Sequence, residues 1–306
     1  MFAPITANMV LFKKHEMANK LVDIKTPDAV LIEQSLAGNK RALENLIKKH
    51  QDWIYNIALT FVGDRDESAD LTQEVLIKLI TKLGSFKQDS SFKTWVYRIV
   101  KNHFLNMKRG KYETNALTFE QFGQGLDQLP SESLSNYSYE VEDKLLVREA
   151  KISCMKGMLL CLDREQRMVY IIGELFEFTD SIGSEIMEIS KENFRVKLHR
   201  AKQQLYNFMN NKCGLVNKNN PCRCARKTAG FIKMGFVDPV KLHFQKNTIA
   251  EINKMIDKKV ETYTNEVTSN YQKLFQEHPF LQSPDKLESI RHLLSSESIK
   301  QTFNFD

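Results

Sequence analysis

The residues best suited to chemistry lie in one stretch, Ser91–Lys111, which reads SFKTWVYRIVKNHFLNMKRGK. Phe92, Trp95, Tyr97 and Phe104 sit among Lys93, Arg98, Lys101, His103, Lys108, Arg109 and Lys111, with no acid between them. Lysine and arginine attract phosphates, and aromatic rings give unstacked bases a π-face to rest on. Asn102 and Asn106 lie one helical turn apart, and an amide both donates to and accepts from a base edge. Carried on one helix, these features suit DNA that is being opened. Phe92, Trp95, Ile99 and Leu105 also fall near helical spacing, so part of the aromatic content is core.

That helix needs neighbours to hold it. Just upstream, Ala69–Leu79 (ADLTQEVLIKL) has an apolar stripe of Leu71, Val75, Leu76 and Leu79. Asp70, Gln73 and Glu74 form a polar, acidic face near its start. An acidic helix one short loop from a basic aromatic helix predicts two surfaces with two different partners.

A second binding element is predicted over Thr179–Leu205 (TDSIGSEIMEISKENFRVKLHRAKQQL). Ile182, Ile186 and Ile189 suit a short first helix and a tight turn. Ser190 can cap the next helix through the free N–H of Glu192 or Asn193. Phe194, Leu198, Ala201 and Leu205 give that helix an inward stripe. Off the stripe lie Lys191, Asn193, Arg195, Lys197, His199, Arg200 and Lys202. A short helix, a turn and a basic capped helix make a helix-turn-helix. Lys191, Asn193 and Arg195, near the helix start, are the base-edge candidates, while Arg200 and Lys202 suit phosphates.

The periodicity is helical nearly throughout, with only 12 Gly and 7 Pro, so the class is all-α. The charge is segregated. Phe86–Lys111 holds seven Lys or Arg against one acid, Asp89, whereas 112–143 holds seven acids and no Lys or Arg. That second segment, with Gly123, Gly125, Pro130 and several serines, has the composition of a flexible acidic linker. The expected plan is an N-terminal extension (1–27), a helical domain (28–111), the linker (112–143) and the helix-turn-helix domain (144–210). A basic cysteine-containing tail (211–239) and a helical extension (240–306) follow. Within 28–111, helices are expected near 28–37, 40–62, 66–83 and 91–110.

The DLTQEVLIKL and SFKQDSSFKTWVYRIVKN motifs, in that order within Ala42–Lys111, resemble the promoter −10 domain of bacterial RNA polymerase sigma factors. The similarity is greatest to the extracytoplasmic-function branch. Cys161–Met209 resembles the −35 domain of the same branch. Leu162, Gln166 and Arg167 fit its opening helix, and VKLHRAKQQL fits the end of its recognition helix. Many relatives carry Gly where this chain has Glu188, and an Ala-like residue where it has Ser184. The resemblance implies that Asp70, Leu71, Gln73, Glu74 and Val75 form the face that docks on core RNA polymerase. It implies −10 contacts from Lys87, Asp89, Ser90, Ser91, Trp95, Tyr97, Arg98, Lys101, Asn102, Asn106, Lys108 and Arg109. Core polymerase, promoter DNA and an anti-sigma factor are the implied partners. The −10 and −35 elements lie about 55–60 Å apart on B-DNA. The linker, at ~3.3 Å per residue, reaches further than that. The alternative is a helix-turn-helix regulator that binds duplex DNA without joining the polymerase.

Catalysis is not expected, because no phosphate loop, His-Glu-x-x-His or Ser/His/Asp arrangement is present. Asp64, Asp66, Glu67, Asp70 and Glu74 could hold Mg²⁺ in a nuclease, but their helical spacing and motif context favour docking. Cys213, Cys222 and Cys224 are zinc candidates, with a fourth ligand such as His199 or His243. The other reading of the trio is reduced thiols in a basic tail that lowers their pKa. Cys154 and Cys161 read as core. An odd cysteine count, no apolar run long enough to span a bilayer and no signal peptide predict a cytoplasmic protein without membrane insertion. Residues 240–306 either dock on the −35 domain or bind a partner.

Overall fold

A computed structural model describes residues 27–109, 113, 117–240, 242 and 283–284. The expectations for residues 1–26, Lys111 and His243, and for the extension beyond 242 apart from Ser283 and Pro284, lie outside the described residues.

The helices are α1 (Asp28–Leu36), α2 (Lys40–Val62), α3 (Arg65–Lys82), α4 (Phe92–Asn106) and α5 (Phe119–Gln128). They continue as α6 (Asp143–Leu160), α7 (Arg164–Tyr170), α8 (Asp180–Met187), α9 (Lys191–Lys212) and α10 (Cys224–Lys233). The class is all-α, and the strand-like pairing among the described residues is an isolated bridge between Cys213 and Cys222.

Polar caps set the helix starts. Asn39, Asp64, Ser91, Asp163 and Ser190 each accept the backbone N–H three residues on. Each bond satisfies an amide that the first turn leaves without a partner. Gly63 ends α2 at φ 81°, a left-handed conformation that costs glycine little.

Two expectations need correcting. The helix expected to reach 110 ends at Asn106, because Met107 turns extended. The carbonyls of Leu105, Met107 and Lys108 accept from Arg164 instead of continuing the helix. Lys108 and Arg109 therefore follow the helix. The segment read as a flexible linker carries α5, which begins with a reciprocal Thr118–Gln121 capping box. Phe119 and Phe122 place that helix on Phe208 of α9, with ring centroids 5.4 and 5.7 Å apart. The acidity of the segment masked this short apolar face.

The core does not divide at that segment. Leu43, Ile54, Val75 and Phe104 share one cluster with Val169, Ile172, Ile186 and Phe194 from α7, the turn after it, α8 and α9. A second cluster joins Leu126, Leu146, Leu159, Leu205 and Phe231. A buried polar knot fastens the two halves. Arg167 bonds Glu113 (2.7 Å) and the carbonyls of Phe61 (2.7 Å), Leu159 (3.0 Å) and Leu162 (3.0 Å). Arg164 bonds Glu113 from its other side. From the extension, the Ser283 backbone N–H donates to Asp52 of α2 at 3.0 Å.

Candidate nucleic-acid interface

Helices α3 and α4 are the two walls of one groove of about 1150 Å³. The two surfaces expected from the sequence therefore face each other. Asp70 and Glu74 stand exposed on the α3 wall, with Gln73 half-buried. Leu71 and Val75 lie inward in the core and support that wall from beneath. This follows from the helical period, since 71 and 75 share the face of Leu79.

On the α4 wall, Trp95, Arg98, Asn102, Asn106 and Lys108 line the groove. Asn102 is exposed, and its carbonyl accepts from the Asn106 side chain at 2.8 Å. Phe86, Phe92 and Trp95 form an aromatic cluster at the groove's end, with centroids 5.3–5.6 Å apart. The loop before α4 leaves Lys87 and Asp89 exposed and Ser90 half-buried. Ser91 uses its hydroxyl to cap α4. Lys108 and Arg109 are exposed past the helix end.

Two −10 candidates are not surface groups. Tyr97 is buried, stacked on Trp53 at 4.3 Å and edge-on to Phe178 at 4.7 Å. It lies on the inner face of α4, so it is a packing residue and not a stacking platform. Lys101 is buried as well, and its ammonium bonds the Glu188 carboxylate. His103 is also buried, 3.1 Å from Glu74. Desolvation, with the Lys78 charge, holds its pKa below the usual value despite Glu74.

Helix α9 carries the second candidate set. Ser190 caps it through the Asn193 N–H at 3.1 Å, and Phe194, Ala201 and Leu205 are buried. Lys191, Asn193, Arg195, His199 and Arg200 are exposed. Arg195 pairs with Asp180 at the start of α8. Lys197 and Lys202 turn back toward the bundle, pairing with Glu165 at 3.0 Å and Glu174 at 2.8 Å.

Among the described residues the cysteine trio forms no metal centre. Cys213 and Cys222 are bridged through backbone, and Cys224 opens α10. Among the described residues, no three His, Cys, Asp or Glu side chains stand together as a metal site. The expected lowering of thiol pKa is reversed at two of them. Burial raises Cys222 and pushes Cys224 up to about 11, outweighing the nearby cations. Among the described residues no helix is long and apolar enough to cross a membrane.

Residues 46–113 match the family model for Sigma-70 region 2. The RNA polymerase sigma-H factor of Pseudomonas aeruginosa is 42% identical over 82 residues, 26% of this chain and 42% of that protein. The ECF RNA polymerase sigma factor SigW of Bacillus subtilis is 26% identical over 57% of this chain and 92% of its own length. The ECF RNA polymerase sigma-E factor of Escherichia coli K12 is 26% identical over 59% and 93%. The chain thus carries a Sigma-70 region 2 segment and is similar over more than half its length to extracytoplasmic-function sigma factors.

The matched segment holds every docking and −10 candidate, while α9 lies beyond it. Glu188, which the resemblance set against an expected Gly, sits in the left-handed region at φ 58°. The position thus has the backbone a glycine would take, but holds a charged side chain. Sequence reasoning missed three acids: Glu113 in the polar knot, and Glu185 and Glu188 against α4. A signal for the last two was present. Glu185 and Glu188 are three residues apart, as are Arg98 and Lys101, and that spacing puts each pair on one helix face.

Proposed function

We propose that this chain is a transcription initiation factor that binds core RNA polymerase, directs it to promoters and helps melt the −10 element. The observation that carries the reading is the α3–α4 groove within the Sigma-70 region 2 match. One wall offers exposed carboxylates at Asp70 and Glu74, and the other a tryptophan, an arginine and exposed amides. The α3 wall is the polymerase-docking face. Trp95, Asn102 and Asn106, with the loop carrying Lys87 and Asp89, form the part that meets opened −10 DNA. Lys108 and Arg109 lie where phosphates of that strand pass, since point charges set affinity and base edges set sequence.

Helix α9 is the −35 reader. An α-helix fits the major groove, where each base pair shows a distinct pattern. Lys191, Asn193 and Arg195 at its start reach the base edges, and Arg200 holds phosphate. His199 shares the exposed face. Lys197 and Lys202 brace α9 on α7 and the turn after it. An anti-sigma factor is a further expected partner.

Run-off transcription tests the proposal. Purified full chain with core enzyme should give transcripts from promoters of the source genome, with permanganate-reactive thymines in the −10 element. Core binding that is undetectable, together with no transcript, would refute it. Tight duplex binding without core binding would instead establish the helix-turn-helix regulator.

A further inference from the structure

We infer that a cavity apart from the faces proposed to read DNA binds a small amphipathic carboxylic acid. The carboxylate meets Lys156, and the apolar body lies among phenylalanine and leucine side chains. The cavity, of about 250 Å³, opens between the α2–α3 turn (63–65), α5, α6 and the end of α10 with the residues after it. Phe122, Leu126, Leu129, Leu160, Phe231 and Phe236 supply its apolar lining. Leu117, Met234 and Phe236 in the same lining are exposed, so the apolar surface continues out to solvent. An apolar hollow with a few convergent polar groups is the usual form of a small-molecule site.

The polar groups of the lining decide the class of ligand. Asp64 is committed to capping α3, accepting the Glu67 N–H at 2.8 Å. The Ser153 hydroxyl donates to the Phe236 carbonyl at 2.9 Å and ties the chain after α10 to α6. Among the described lining residues, Lys156 and Arg65 bring two positive charges against the one carboxylate of Asp64. Lys156 is 9% exposed, which is rare for a lysine. Desolvation pulls its pKa down to about 8, with the Glu149 charge opposing. An anion in the cavity favours the charged ammonium, so an ionised acid binds better than a neutral body of the same shape.

Two helix-interior glycines line the cavity, Gly125 of α5 and Gly157 of α6. A Cβ on Gly157 would sit 2.6 Å from the Phe122 ring, so glycine lets that ring lie against α6 as a wall. At Gly125 a Cβ would meet nothing within 4 Å, so no packing demand explains a residue that weakens its helix. The volume bounds the ligand. It falls below the roughly 300–1,000 Å³ of sites for drug-sized molecules. At about 30 Å³ for each group the size of a water molecule, it holds about eight such groups. The acid is therefore short.

The test uses the full chain with octanoate and, as its neutral counterpart, 1-octanol. Isothermal titration calorimetry reads affinity, thermal melts read stabilisation, and hydrogen–deuterium exchange locates the ligand. Octanoate should raise the melting temperature with concentration. It should slow exchange in α5, α6 and α10 peptides, leave α4 peptides unchanged, and bind roughly 10-fold more tightly than 1-octanol. Lys156→Met should erase that preference by weakening octanoate while 1-octanol binds as before, and Lys156→Arg should keep it. Circular dichroism checks that the variants fold; if Lys156→Met does not, the acid–alcohol comparison and the exchange pattern of the parental chain decide. Equal affinity for acid and alcohol would overturn the proposal, as would no octanoate binding at millimolar concentration. Protection that reaches α4, or a preference for the acid that survives Lys156→Met, would overturn it too.

Discussion

Replacing Glu113 by Gln tests the polar knot that holds the two helical halves together. Glu113 and Arg167 are each 3% exposed at the side chain and 2.7 Å apart, and Arg164 holds the other carboxylate oxygen. Neutralising one partner of a buried pair leaves an uncompensated charge and costs about 3–5 kcal/mol. Two features reduce this. Glutamine keeps one oxygen acceptor, and Arg167 retains its bonds to the carbonyls of Phe61, Leu159 and Leu162. The expected loss is therefore about 2–4 kcal/mol, measured by urea denaturation at neutral pH. Acid should erase the difference. Burial alone would raise the Glu113 pKa, but hydrogen bonds and charge from Arg164 and Arg167 outweigh it and hold it below 4.5. The native state then binds fewer protons than the unfolded chain, so the contribution is complete above pH 4.5 and is lost as pH falls through the lower native value. A loss under about 1 kcal/mol, or one that stays constant into acid, would refute this account of the knot.

The other predictions concern the α3 face and α9. Reversing Asp70 and Glu74 together to Lys should weaken core-polymerase binding in a chain that still melts cooperatively, because both side chains are exposed even though the Glu74 contact with His103 is lost; normal affinity in competition binding would remove α3 as the docking face. Phe194→Ala should cost about 3–5 kcal/mol in urea unfolding, since the ring is fully buried and lies over Gly183, where a Cβ would sit 2.3 Å from it. Alanine at Lys191, Asn193 and Arg195 together should flatten the ranking of a −35 sequence library, and an unchanged ranking would disprove the base-edge assignment. Arg200→Ala should instead lower affinity alike on all sequences and reduce the salt slope, as loss of a phosphate contact does.

Local features of this chain were legible without coordinates. The stripe Phe194, Leu198, Ala201, Leu205 and the Ser190 cap appear as read, because a helical period and a capping hydroxyl depend only on near neighbours. The start of α4 was equally local, while its end was not. Arg164, far along the chain, takes the carbonyls that would have carried the helix onward. Tyr97 and Lys101 show the same limit from the other side. Periodicity says that a residue faces inward or outward, but not which distant element will cover an outward face. Arg98 and Glu185 are 87 residues apart, and no period connects them. The linker reading failed for a related reason. Its seven acids argued for solvation, yet Phe119, Phe122 and Leu126 on one short helix were enough to bind it to α6 and α9. A few apolar residues at helical spacing outweigh a larger number of charges when the charges can point to water and a partner surface is near. Segments that would act on separate parts of a promoter thus share one core here, and the contacts between them are acid on base along the faces proposed to hold DNA.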